Sequence, residues 1–173
     1  MVSCTTRRFW GPLKGLAGDC HFMIPFLKRL FGFFGVSHER PDLLPPRVAD
    51  PEPLTRFIFS DKYFAASVPR VKRQAFAPRK GETSVFRTMN LMDVDVWKIG
   101  RENVGEHRGQ PPRGRADFTA MSVRQARLDI VAEPSLHPRH ANIVGWHPEK
   151  ERQRLAAMEL AGHTTLVLPE TAV

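Results

Sequence analysis

Three of the seven histidines and an asparagine crowd into one short window, His137, His140, Asn142 and His147 in HPRHANIVGWHPEK. Imidazoles titrate near pH 6.5 and can both take and give protons at neutral pH. His140 with His137 could therefore relay a proton, Asn142 could hold a reacting group through its amide, and Asp117 or Asp129 could orient a ring. That is the chemistry of a small hydrolase or transferase acting on a phosphodiester or nucleotide. A zinc site asks for more, at least three protein ligands. The HxxH spacing puts two rings on one face only in a helix, and Pro134 and Pro138 make this segment a loop. Cys4 and Cys20 lie far upstream, so neither a metal nor a cofactor is expected. The competing structural reading has His140 and Asn142 hydrogen-bonding the loop's own backbone and fixing the entry to the next helix.

A second chemistry lies in the basic cluster Arg70, Lys72, Arg73, Arg79 and Lys80, which contains Phe76 and no acid. Cations on alternate residues of a hairpin could track a phosphate backbone while an aromatic ring stacks a base. The alternative is a solvated surface with Phe76 turned into the core. Arg87 ends the strand-like SVFR at the phase of Val85, which points it inward, and a buried arginine needs an anionic partner. Asp117 of RAD is the expected partner in a structural pair. Arg87 with Arg115 and His140 could equally bind an anionic ligand through bidentate hydrogen bonds.

Charge follows the same division. Residues 51–115 carry thirteen lysines and arginines against seven acids, whereas residues 116–173 carry six against seven. A basic middle beside a near-neutral end suggests one positive face for nucleic acid, anionic lipid or an acidic partner. There is no GxxxxGK[ST], GxGxxG, GxSxG or HExxH, so the common nucleotide-binding, hydrolase and metalloprotease motifs do not apply. Two cysteines without CxxC spacing, and no cleavable signal pattern, point to a reducing cytoplasm.

The elements that must position these groups can be read from periodicity. Phe26, Leu27, Leu30, Phe31 and Phe34 repeat at helical spacing, an amphipathic segment over 24–34 that could dock on a membrane surface or a protein partner. Glycines and prolines keep every apolar run in this region below the length of a membrane span, so no transmembrane segment is expected. Five prolines over 37–54 form a linker. RFIFS reads as a strand, and Val71–Ala77 with Thr83–Thr88 as a hairpin around Pro78-Arg79-Lys80-Gly81. Asn90 to Gly100 reads as a helix stopped by its glycine, and Arg101 to Arg115 as a mobile basic loop. Residues 116–127 fit a helix better than a strand, and Leu128–Ala132 fits a strand. After a short strand near Ile143–Trp146 comes a helix from Pro148 to Ala161, with Leu155, Met158 and Ala161, and Ala157 and Leu160 beside them, as its buried stripe. Thr164–Leu168 is a last strand.

The expectation is an α+β fold: a small mixed or antiparallel sheet with two or three helices packed on it. A flexible arm (1–53) precedes one domain (54–169). RFIFS, SVFRT, RAD and HANIVGW together resemble a pattern recurrent among small bacterial proteins with no assigned activity, from about Leu54 onward. The resemblance implies a bacterial, cytoplasmic protein and carries no residue roles. Function is expected to be accessory, the basic hairpin and loop contacting a polyanion such as nucleic acid.

Overall fold

Alternating apolar residues produce a six-stranded sheet in the computed structural model, which describes residues 44–65 and 67–170. The amphipathic segment 24–34 and most of the arm lie outside the described residues. The strands are β1 (Pro53–Ile58), β4 (Thr83–Arg87), β5 (Gly114–Thr119), β6 (Asp129–Ala132), β7 (His140–Val144) and β8 (Thr165–Val167). They run in the order β6-β7-β4-β1-β5-β8, and every neighbouring pair is antiparallel. A minor sheet pairs β2 (Phe64–Ala65) with β3 (Arg70–Val71). The fold is α+β.

Register decides which side chains share a face, because successive residues of a strand point to opposite sides. Leu54 lies opposite Arg87 and Phe118, while Thr55 lies opposite Phe86 and Asp117. The first face carries Leu54, Val85, Phe118, Ile143 and Leu166. Phe76, Val123, Ala157 and Leu160 complete its core, contributed by a 3-10 turn (Arg73–Phe76), α3 (Ala120–Gln125) and α4 (Lys150–Gly162). The second face carries Phe57 and Phe86, whose rings tilt together at 5.5 Å beneath Val96 and Ile99 of α1 (Asp93–Ile99). Each large apolar side chain removed from water in this way contributes about 1.5–3 kcal/mol.

Five expectations give way to the packing. Val71–Ala77 forms no hairpin with β4, because both sides of that strand are taken by β1 and β7. It leaves β3 as a 3-10 turn that buries Phe76 edge-on against Phe118. Residues 101–108 are helical rather than a mobile loop: α1 continues through a π-helical stretch (Gly100–Gly105) into α2 (Glu106–Arg108). Gly100 is no stop. A Cβ there would lie 2.5 Å from the Phe57 ring, so the glycine serves close approach of helix to sheet, and Gly109 at φ 65° ends the run instead. Ala116–Thr119 is strand, with helix only from Ala120, because β1 offers it a ladder. In α4, Leu155 and Met158 are each 54% exposed. They sit two positions, about 200°, from the inward Ala157 and Leu160. The small Ala157 lets the helix close on the 3-10 turn.

The proline-rich stretch also supplies core. Val48 and Glu52 are buried, tying the approach to β1 into the domain. Among the described residues no helix is long and apolar enough to cross a membrane.

Candidate functional site

The two inward arginines expected to clamp an anion are occupied by the protein's own carboxylates. Arg87 donates from Nε to Glu52 Oε1 at 2.5 Å, from Nη2 to Oε2 at 3.0 Å, and from Nη1 to the Pro45 carbonyl at 2.7 Å. Both partners are sealed, at 2% and 1% exposure. The expected pair with Asp117 does not form, because register places Arg87 with Leu54 and Asp117 with Thr55, on opposite faces of the sheet. Asp117 instead accepts from Arg115 Nε at 3.0 Å and from the Thr55 hydroxyl at 2.5 Å. Arg115 also bonds Asp93 and lies over the Trp97 ring, 5.1 Å from its centre. Arg87 is thus sealed against its own carboxylate, while Arg115 keeps one buried nitrogen, Nη1, without a partner among the described residues.

A different set of arginines is without acid. Arg56 on β1, Arg79 in the turn before β4 and Arg108 at the end of α2 line one cavity of about 290 Å³ together with Tyr63. Arg56 points from the core phase of its strand, donating from Nε to the Ala75 carbonyl and from Nη1 to the Ser84 carbonyl at 2.6 Å. Those acceptors fix the guanidinium without neutralising it. Arg79 is held by reciprocal backbone bonds with Glu82 of 2.8 and 3.1 Å, across a two-residue turn in which Lys80 and Gly81 both have positive φ. Arg108 lies 4.6 Å over the Phe59 ring. No carboxylate of the described residues forms a salt bridge with any of the three.

The electrostatic consequence is visible on Arg56, whose pKa falls to about 10. Burial is the main cause, and the Arg108 and Arg79 charges add to it. Arg108 is lowered as well, by burial and then by Arg79. Both stay cationic at neutral pH, so the cavity holds three mutually repelling charges that an anion would relieve. It shares Gln74, Ala77 and Pro78 with a second cavity of about 390 Å³ bearing Arg73 and Lys150. A cationic groove thus runs from the start of α4 to the end of α2.

At its other end Arg108 also lines a third cavity, of about 240 Å³, with His137, His140, Phe86 and Leu136. His140 stands directly across the β4–β7 ladder from Phe86, and both histidine rings meet that phenyl edge-on, at 5.5 and 5.6 Å. His140 Nδ1 sits 3.1 Å from the Glu133 carbonyl, which can only accept, so Nδ1 carries the proton. His137 Nδ1 accepts from the Arg139 backbone N–H at 3.1 Å, which leaves the proton of the neutral ring on Nε2. Burial, then Arg139 and His140, lower the His137 pKa below its ordinary value.

His137 and His140 therefore converge, while the rest of their expected constellation does not. Asn142 donates to Glu82 at 2.9 Å outside this cavity, and its buried Oδ1 has no partner among the described residues. His147 accepts the Glu149 N–H ahead of α4. Neither Asp117 nor Asp129 orients a ring; backbone groups of the 133–139 loop do. Of the basic cluster, Arg73 and Arg79 line the groove, whereas Arg70, Lys72 and Lys80 do not. Sequence reasoning misses Arg56, Arg108 and Lys150. Arg56 can be found as Arg87 is, by its phase between Leu54 and Ile58; Arg108 is hidden in a segment whose glycines and prolines read as a loop. Among the described residues no cluster of three or more histidines, cysteines or acids could hold a metal ion. Compared with protein-family models, with curated proteins and with solved structures, the chain finds no match.

Proposed function

We propose that this protein binds a phosphate-bearing polyanion, nucleic acid first among them, along the groove of Arg73, Lys150, Arg79, Arg56 and Arg108. The observation that supports it is the arginine trio without carboxylate salt bridges, two of its members lowered in pKa by burial and then by neighbouring arginine charges yet still charged. A polymer suits the site better than one phosphate, because the cations extend over two adjoining cavities and phosphates recur along a strand. This replaces the basic hairpin as the contacting element. It accords with a cytoplasmic accessory protein, its protein or membrane contacts through residues 24–34 being a separate matter.

The test is binding of a labelled single-stranded oligonucleotide across a salt series. Affinity should fall steeply with salt, by about 0.7 log units per log unit of salt for each phosphate neutralised. Arg79→Glu with Arg108→Glu should weaken binding and reduce that slope by about 0.7 for each phosphate no longer held. Arg70→Glu, outside the groove, should change little. Salt-insensitive binding, or equal binding by the double variant, would refute the proposal.

A further inference from the structure

We infer that the cavity beside Arg108 is a nucleobase pocket, so that cavity and groove together accept a nucleotide. Its phosphate would lie at Arg108 and Arg56, and its base against Phe86 and Leu136 with an edge on His137 and His140, which line the cavity together with His107. The inference rests on the phosphate reading of the groove and adds what the neighbouring site would recognise.

The hydrogen bonds on Nδ1 of the two rings fix opposite roles for their other nitrogens. With Nδ1 of His140 donating to the Glu133 carbonyl, its neutral ring offers Nε2 as an acceptor. With Nδ1 of His137 accepting from the Arg139 N–H, its neutral ring offers Nε2–H as a donor. A donor and an acceptor on rings that share one phenyl neighbour are the two kinds of group that the pairing edge of a nucleobase needs opposite it. Every base has such an edge, so the pair recognises bases as a class. A second phosphate would be a poorer occupant, because an acceptor nitrogen repels it and the lowered pKa of His137 opposes the charge that would attract it.

Size and surface agree with the same occupant. About 240 Å³ falls below the ~300–1,000 Å³ common for larger ligands, as a single ring system requires. Leu136 is 80% exposed at the rim, an apolar residue in a loop with nothing packed over it among the described residues. A flat ring inserted between it and Phe86 would remove that surface from water. Arg108 lines both cavities, which puts the cation for a phosphate next to the place for its base.

Isothermal titration of the full chain with AMP, CMP, GMP and UMP, against ribose 5-phosphate and inorganic phosphate, tests this. The nucleotides should bind about tenfold or more tighter than ribose 5-phosphate. His137→Phe keeps the ring but removes the donor, and should cut that advantage while leaving ribose 5-phosphate affinity in place. Leu136→Ser, at an exposed position that does not endanger folding, should also reduce it. Arg108→Glu should weaken both kinds of ligand. If ribose 5-phosphate and the nucleotides bind equally, the base pocket is refuted and the groove stands. If none of the phosphates binds and the oligonucleotide fails too, the groove falls with it.

Discussion

Arg87 and Arg56 leave adjacent strands on the same face of the sheet, both at positions where a strand of this pattern would carry an apolar side chain. Their surroundings are opposite. Arg87 meets Glu52 in a two-pronged pair sealed from water, whereas Arg56 meets two carbonyls and the charges of Arg79 and Arg108. A buried cation whose charge is cancelled within the chain serves the fold. One surrounded by its own kind holds an unfavourable potential that only an added anion can relieve. The presence of an arginine at a core phase therefore says little about function, and the presence or absence of a carboxylate against it says much.

That contrast can be broken at three points. Glu52→Ala leaves Arg87 charged and buried without a counterion, and it should lower the unfolding free energy by about 3–5 kcal/mol in a denaturant titration. A loss below about 1 kcal/mol would mean that Arg87 is neutralised by something else and would erase the distinction. The histidine cavity predicts an intermediate, pH-dependent effect. Because the folded-state pKa of His137 lies below its unfolded value near 6.5, the unfolded chain binds the proton more readily. His137 thus costs the fold nothing above that pH, and stability should fall as pH drops through 6.5 and on to the folded value. Melting temperatures recorded from about pH 7.5 to 5 should show this slope in the parent and a shallower one in His137→Gln. The smallest effect belongs to the trio. Arg108→Ala removes repulsion from Arg56, so its unfolding free energy should stay within about 0.5 kcal/mol of the parent or rise slightly. A marked loss would show that Arg108 is as structural as Arg87.

Much of the fold is legible in the sequence because period-two alternation survives in short windows. RFIFS, TSVFR, the strand before Pro134 and the final helix all fall near their expected places. The errors share one cause, that local punctuation carries no information about partners. Gly100 looks like a helix stop until Phe57 is seen beneath it, and Val71–Ala77 looks like a strand until both edges of β4 are found occupied. The site is legible in parts for the same reason. His137 and His140 are three residues apart, so the turn that brings β7 into the sheet keeps them together. Arg56, Arg79 and Arg108 come from segments 23 and 29 residues apart in sequence, and only the sheet and its covering helix join them. Glu52, the residue that withdraws Arg87 from binding, sits in a stretch whose prolines suggest a linker.

The wide helical turn between Gly100 and Gly105 has an angular consequence. Its i to i+5 bonding, as in Glu106 N–H to the Arg101 carbonyl, accommodates more residues per turn than an α-helix does. The bearing of everything after it is therefore set by a count of residues. If that stretch tightened to α winding with its residue count unchanged, Arg108 would swing around the axis by about 100°, the angle of one residue; deleting one residue as it tightened would cancel the swing. With the sheet and α1 in place, the uncompensated swing would take the arginine from Phe59 and from both cavities that it borders. A change in winding, with no change in charge or in the core, would be enough to switch the groove's polarity off at one end.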